Sequence, residues 1–159
     1  MVLANTDICA FGTKAHGFAL KGVDGKTYTL ADVRGKKGTL VAFICNHCPY
    51  VRAVISRLVA EADALAGLGI GTIAIMLNDT ATYREDSFDN MKSFAARHGF
   101  SFSFPYVIDE TQQVAKAYGA QCTPTSSVSM PPTSCNIGAG SMPRARASFP
   151  MRGATCSRR

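Results

Sequence analysis

Thr39-Leu40-Val41-Ala42-Phe43-Ile44-Cys45-Asn46-His47-Cys48-Pro49-Tyr50 is the stretch that decides the fold. Six residues without a charge, most of them branched or aromatic, read as a strand buried on both faces. The strand runs straight into two cysteines two residues apart. Proline is tolerated only near the start of a helix, so Pro49 predicts a helix that begins around Cys45 or Asn46. Val51, Val54, Ile55, Leu58, Val59, Ala62 and Leu65 then recur at helical spacing and give that helix one apolar face. Arg52, Arg57, Glu61 and Asp63 occupy the others, and Gly67 and Gly69 end it.

The same alternation continues on both sides. Upstream, Phe18 to Leu30 reads as a hairpin, with Asp24-Gly25 as its turn. Ala31 to Gly38 is polar and reads as a connector. Downstream, Thr72 to Leu77 is a second buried strand, and Asn78 to Ser87 is a polar loop. Ser87 caps a helix carrying Phe88, Met91, Phe94 and Ala95, which Gly99 closes. Tyr106-Val107-Ile108 is a short strand. Thr111 or Asp109 caps a last helix through Val114, Ala115 and Tyr118, ending at Gly119. Strands alternating with helices predict an α/β fold with a mostly parallel sheet. In such sheets function gathers at the carboxyl ends of the strands, which is where Cys45 stands.

Charge argues against nucleic acid. The chain of 159 residues carries a net +6, but residues 1–124 hold 12 Lys+Arg against 11 Asp+Glu, while residues 125–159 hold 5 Arg and no acid. The body is nearly neutral, and no basic stripe interleaved with aromatics crosses it. No apolar run reaches the length of a membrane span. The N-terminus lacks a basic region followed by an apolar stretch, so the expected address is the cytoplasm. Thiols stay reduced there, and a close pair points to redox or metal chemistry before a structural bridge.

A thiolate at Cys45 would be stabilised by the unpaired N–H groups and positive dipole end of the following helix. Cys48, one turn further in, is expected to be the more buried sulfur. His47, if protonated beside Cys45, would favour the thiolate further. Two other readings stay open. The cysteines can be small buried hydrophobes. They can also be metal ligands, with His47 or Cys122 completing the set, although structural zinc needs four ligands and Cys9, Cys122, Cys135 and Cys156 each stand alone. No cofactor and no metal are expected. His98 suits a helix C-terminus, and His16 lies in a leader loop. Asp79 and the run Arg84-Glu85-Asp86 read as solvated loop charges. Cys122-Thr123-Pro124 follows a helix and a short loop, a place where a cis peptide bond fits.

With these pieces the body resembles the thioredoxin-like superfamily, in its redoxin branch related to alkyl hydroperoxide reductases and peroxiredoxins. The matching segments are F-A-L-K-G-V-D-G-K-T-Y-T-L (18–30), L-V-A-F-I-C-N-H-C-P-Y-V (40–51), I-A-I-M-L-N-D (73–79), F-P-Y-V-I-D-E-T-Q-Q-V-A-K-A-Y-G-A (104–120) and C-T-P (122–124). C-N-H-C-P-Y-V is similar to a bacterial subgroup of thioredoxin family proteins. The resemblance implies a three-layer sandwich and a thiol–disulfide oxidoreductase. It implies that Cys45 attacks a substrate disulfide, Cys48 resolves it, and Thr123-Pro124 forms the cis-proline loop that presents backbone to substrate. His47, Pro49 and Cys122 shape the site. The partners implied are a protein or small-molecule disulfide and a thiol reductant. Peroxidase activity at Cys45 is the rival enzyme reading. Peroxiredoxins carry a hydroxyl residue three positions before the reactive cysteine; Ala42 stands there for Cys45, and Cys45 itself for Cys48.

After Pro124 the sequence changes character. Residues 125–159 show neither an alternating apolar pattern nor a helical face, and Pro131-Pro132, Pro143 and Pro150 interrupt them. The domain is therefore expected at 1–124, with its C-terminal hairpin and helix missing or replaced by a disordered basic tail. Codon degeneracy suggests a cause. Thr125-Ser126-Ser127 can be written ACT-TCT-TCN, and a G placed in front gives GAC-TTC-TTC, or Asp-Phe-Phe, the start of a strand such as the family carries there. The expectation is one base lost near codon 124. Sequencing the gene across that codon checks it: a shifted frame that is closed, or that lacks Asp-Phe-Phe, refutes the frameshift.

Overall fold

The computed structural model describes residues 14–100 and 104–129. Its centre is β3 (Gly38–Ile44), in which all seven residues are buried. The strand pairs parallel with β4 (Ile70–Met76), Val41 opposite Ile73 and Phe43 opposite Ile75. Successive side chains of a strand point to opposite faces. Ala42 and Ile44 therefore enter one core and Val41 and Phe43 another.

On the first face lie α2 (Pro49–Gly67) and α3 (Phe88–His98), which bury Val51, Ile55, Met91 and Phe94 against the sheet. On the second lie α1 (Leu30–Val33) and α4 (Gln113–Ala117), with Val33 and Ala115 in the core. The sheet order is β2-β1-β5-β4-β3-β6. The hairpin of β1 (Ala19–Gly22) and β2 (Thr27–Thr29) joins antiparallel to β5 (Tyr106–Ile108), which runs parallel to β4. The result is the expected α/β sandwich of three layers, but the sheet is mixed rather than mostly parallel, with two parallel pairings (β3–β4, β4–β5) and three antiparallel ones. No helix among the described residues is long and apolar enough to cross a membrane.

Most boundaries follow the local chemistry already read. Gly25 turns the hairpin at φ 85°, and the Asp24 carboxylate accepts the Tyr28 hydroxyl at 2.7 Å. Ser87 caps α3, and Gly99 ends it at φ 75°. Asp109 accepts the Ala115 N–H at 2.8 Å and so satisfies the start of α4. His98 lies at the C-terminal end of α3 against Phe94; burial, then Arg97 and Arg52, hold its pKa below the ordinary value. Gly71 is required by packing: a Cβ there would strike the Val33 carbonyl oxygen.

Three expectations are corrected. The connector 31–38 contains α1, started by a reciprocal cap between Thr29 and Asp32. The long helix begins at Pro49, not at Cys45 or Asn46, with Cys48 as its N-cap and the proline in the first turn. The sheet also continues past Pro124. Thr125–Ser129 forms β6, antiparallel to β3, with Thr125 opposite Phe43 and Ser129 opposite Thr39. Thr125 and Ser127 are buried. Small hydroxyl side chains fill the inward positions that an apolar alternation would occupy, while backbone pairing asks only for an extended chain. The remainder of the expected tail, residues 130–159, lies outside the described residues.

Two buried phenols give the fold an alkaline signature. Burial pushes the Tyr118 phenol up to about 12, and its hydroxyl donates to the His16 carbonyl at 2.8 Å. Burial, with Asp86 adding, pushes Tyr106 well above its ordinary value. An unfolded chain releases both protons near pH ~10, so between there and ~12 the folded state holds more protons and loses stability as pH rises. Urea midpoints should be level up to about pH 10 and fall above it, less steeply in Tyr118→Phe. A midpoint that stays level through this range contradicts the assigned burial.

Candidate active site

β3 delivers Cys45 to the carboxyl end of the sheet, and Cys48 caps the helix that follows. Cys45, Cys48 and Cys122 are free thiols. Cys9, Cys135 and Cys156 lie outside the described residues. The Thr123–Pro124 peptide bond is cis, and its loop meets both thiols of the pair. The Thr123 hydroxyl lies 3.1 Å from Cys45 Sγ, and its carbonyl accepts the Cys48 thiol at 3.5 Å. The structure thus brings Cys45, Cys48, Thr123 and Pro124 into one constellation. Cys122 lines the same cavity, and its thiol lies 3.7 Å from the Thr125 hydroxyl.

The burial order of the pair is the reverse of that expected. Cys45 is 1% exposed, whereas Cys48 is partly exposed. The cause is the late start of the helix. Cys45 still belongs to the end of a buried strand, and Cys48 has reached the rim. The Cys45 thiol is accordingly pushed up from its ordinary pKa. Burial contributes most and the Asp86 charge adds; the Thr123 hydroxyl and the Cys48 N–H pull the other way. The helix dipole expected to lower it begins three residues too late.

Asp86 is the residue that sequence reasoning missed. It is not a solvated charge: its exposure is 0%. One carboxylate oxygen accepts the Asn46 N–H at 2.7 Å. The other is bonded to His47 Nδ1 at 2.7 Å and to Asn78 Nδ2 at 2.7 Å. Asn46 is buried with it and bonds to the Glu85 carbonyl, the Tyr106 hydroxyl and Arg52 Nε. The two residues between the cysteines are therefore clasped by a 3-10 turn at Arg84–Asp86, forty positions away. The Asp86 carboxylate meets three donors at 2.7 Å, and each charge-assisted bond is worth about 1.5–3 kcal/mol. Nothing in Y-R-E-D-S distinguishes Asp86 from Glu85. Asp79, by contrast, is an exposed loop residue as expected, bonded to Thr82 and the Ala81 N–H.

His47 faces neither solvent alone nor the pair alone. Its ring stacks on Tyr83 at 5.0 Å and 13°, with Nδ1 held by Asp86. Pro49 and Tyr50 form the opposite rim, where Tyr50 is 53% exposed. Between the rims lies a cavity of about 290 Å³ that opens onto both thiols. A dithiol at the floor of an open cleft, beside a cis-proline loop whose backbone already accepts one thiol, has the geometry to receive a sulfur-containing chain.

Comparison with known proteins places the fold. The chain is 38% identical to a structurally solved conserved protein from Geobacillus kaustophilus, covering 95% of this chain and 79% of that one with a TM-score of 0.83. A thiol:disulfide interchange protein of the thioredoxin family from Chlorobium tepidum shares the fold, with a TM-score of 0.68, 23% identity, and coverage of 87% of this chain and 91% of that one. The thiol-disulfide oxidoreductase ResA of Geobacillus thermodenitrificans is 28% identical over 117 residues. The match takes in 74% of this chain but only 62% of that protein, so the chain spans less than two thirds of this relative. The AhpC/TSA family description matches residues 11–149. The three-layer sheet with its cis-proline loop is a thioredoxin-like fold, and the chain belongs to the AhpC/TSA family.

Proposed function

We propose that the chain is a thiol–disulfide oxidoreductase whose redox pair is Cys45–Cys48. The observation that carries this reading is the joint contact of both thiols with Thr123 of the cis-proline loop. Similarity to ResA supports it. A thiolate of the pair attacks a substrate disulfide, forming a mixed disulfide and expelling one substrate thiolate. The second thiol, once deprotonated, attacks the protein sulfur of that bond. This closes Cys45–Cys48 and releases the other substrate thiolate, so two electrons have passed to substrate.

Sequence resemblance gives Cys45 the attack and Cys48 the resolution. The burial favours the reverse order. Cys48 reaches the cleft and caps a helix, whereas Cys45 is buried and its thiol is held protonated. A strongly oxidising pair owes its potential to a stabilised thiolate in the reduced form. Burial and Asp86 act against that at Cys45, which favours a reducing pair suited to a cytoplasm where a thiol reductant regenerates it. A second reading has one observation behind it. The Thr123 hydroxyl, 3.1 Å from Cys45 Sγ, sets a hydroxyl beside that sulfur; on this reading Cys45 reduces a hydroperoxide to the alcohol, becoming a sulfenic acid, and Cys48 condenses with it, releasing water.

Single-cysteine variants test the order of attack. Cys45→Ser should trap a mixed disulfide with oxidised glutathione rapidly through Cys48, and Cys48→Ser should trap it at least tenfold more slowly near neutral pH. The opposite ranking restores Cys45 as the attacking thiol; trapping by neither removes the exchange reading. Hydrogen peroxide consumed in step with loss of both thiols would select the peroxidase reading.

The elevated Cys45 thiol has its own signature. In Cys48→Ser, alkylation of Cys45 by iodoacetamide should rise with pH, without levelling off until above 9.0, the ordinary value for the group. The sign follows from the raised pKa: at every pH below it, Cys45 holds less thiolate than an ordinary cysteine does. A plateau near neutrality would show a stabilised thiolate instead.

A further inference from the structure

We propose that the reduced protein binds one divalent transition-metal ion of the zinc class through Cys45 Sγ, a ring nitrogen of His47 and the Asp86 carboxylate. The site shares Cys45 with the redox pair and rests on that pair for its switching, though not for its ligands. Among the described residues these three groups form the one set of ligand atoms lying together, all within 4.8 Å of one another. Tetrahedral zinc, with bonds of about 2.0–2.3 Å, sets its ligand atoms roughly 3.3–3.5 Å apart. Fitting an ion therefore takes movement of about an ångström: the widest separations close, while His47 Nδ1 and the Asp86 oxygen, 2.7 Å apart, move apart. The His47 side chain, one-third exposed, makes most of it by giving up its hydrogen bond to Asp86.

Three features suit an ion. The first is ligand chemistry. One sulfur, one imidazole and one carboxylate match the mixed donors that zinc accepts, and three protein ligands with a fourth place left open are the pattern of reactive zinc sites. The fourth place faces the cavity, where Cys48 and Thr123 stand. The second is charge. A thiolate, a carboxylate and a neutral imidazole sum to minus two, so a divalent ion makes a neutral cluster at a place where Cys45 and Asp86 are both buried and any net charge is costly. The third is outer support. The Asn46 N–H holds one oxygen of Asp86 and Asn78 holds the other, while Tyr83 stacks on the imidazole. Metal ligands are oriented by such partners. On entry of the ion the Cys45 thiol gives up its proton, and the ion displaces the hydrogen bond between His47 and Asp86.

The binding would be redox-gated. When Cys45 and Cys48 close as a disulfide, with two electrons passing to the substrate disulfide, the Cys45 sulfur ceases to be an anionic ligand and the ion leaves. Metal on Cys45 in turn withholds that sulfur from exchange. The site is thus a dithiol-state store or brake rather than a part of the exchange chemistry.

The test uses the full chain, reduced with a phosphine in metal-free, oxygen-free buffer, and Co²⁺ and Zn²⁺ as probes. One equivalent should bind. Bound Co²⁺ should show thiolate-to-metal charge transfer, which Zn²⁺ abolishes by displacement. Oxidising the pair with oxidised glutathione should release the ion. Asp86→Asn and His47→Phe should each weaken binding by about tenfold or more, the scale on which even an outer partner of a ligand matters. His47→Phe keeps the ring on Tyr83, so its loss of affinity is separable from misfolding of the Asp86 variant. Cys48→Ser should keep the thiolate charge-transfer band, because Cys45 supplies the sulfur ligand. No binding, binding without charge transfer, or binding lost in Cys48→Ser but kept in His47→Phe overturns the proposal. Disulfide reduction by the metal-free protein is scored separately: exchange without metal binding sinks only the metal site, and metal binding without exchange sinks only the oxidoreductase reading.

Discussion

The structure depends on the complete burial of β3. Its seven residues are covered on both faces by helices and flanked on both edges by β4 and β6. A strand in that position cannot shift by one residue without exchanging Val41 and Phe43 for Ala42 and Ile44 across the sheet. The register is therefore fixed, and so is the point at which the chain leaves the core. Cys45 sits at that point. Its burial comes from the fold as a whole, and the raised pKa of its thiol follows from the burial.

Beyond Cys45 the chain must turn from strand to helix within three residues, and it does so on polar contacts. Asn46 and His47 are tied to Asp86, Glu85, Tyr106 and Arg52, and Asn78 holds the same Asp86. A buried donor deprived of its acceptor costs about 1–3 kcal/mol, so without an ion to replace the His47 contact this cluster favours one conformation. The spacing of the two thiols is thereby set from outside the motif that contains them. His47 belongs to the same cluster, which ties its ring to a carboxylate rather than leaving it free to serve a thiolate.

Much of this is legible in the sequence, for a physical reason. Continuous apolar runs such as 39–44 and 72–77 encode burial on both faces, the heptad-like spacing from Val51 to Leu65 encodes one helical face, and Ser87 and Gly99 encode the ends of a helix. Each signal is local. What the sequence hides is non-local. Asp86 reads like any acidic residue of a polar loop, because its burial is created by Asn46, His47 and Asn78 arriving from elsewhere. The same holds for the exposure order of the cysteines, which turns on whether the helix starts at Cys45 or Pro49. Only the later start puts the proline in the first turn, where it is best tolerated.

The strand after Pro124 is the most instructive failure of pattern reading. T-S-S-V-S lacks the apolar alternation of an inner strand, yet it pairs with β3 over five residues. Its side chains contribute little burial; its backbone closes an edge that β3 would otherwise expose. It has a second consequence for the site. Thr125 lies opposite Phe43, and its hydroxyl donates to the Cys122 carbonyl at 2.6 Å. Thr123, which touches both thiols, is held between that hydrogen bond and the strand pairing. The contact surface of the redox pair therefore needs the first residues beyond Pro124, where the apolar and helical patterning of the sequence stops. A change of reading frame at that codon would spare the site only to the extent that the new residues can still pair, and five short, mostly hydroxyl-bearing residues meet that requirement.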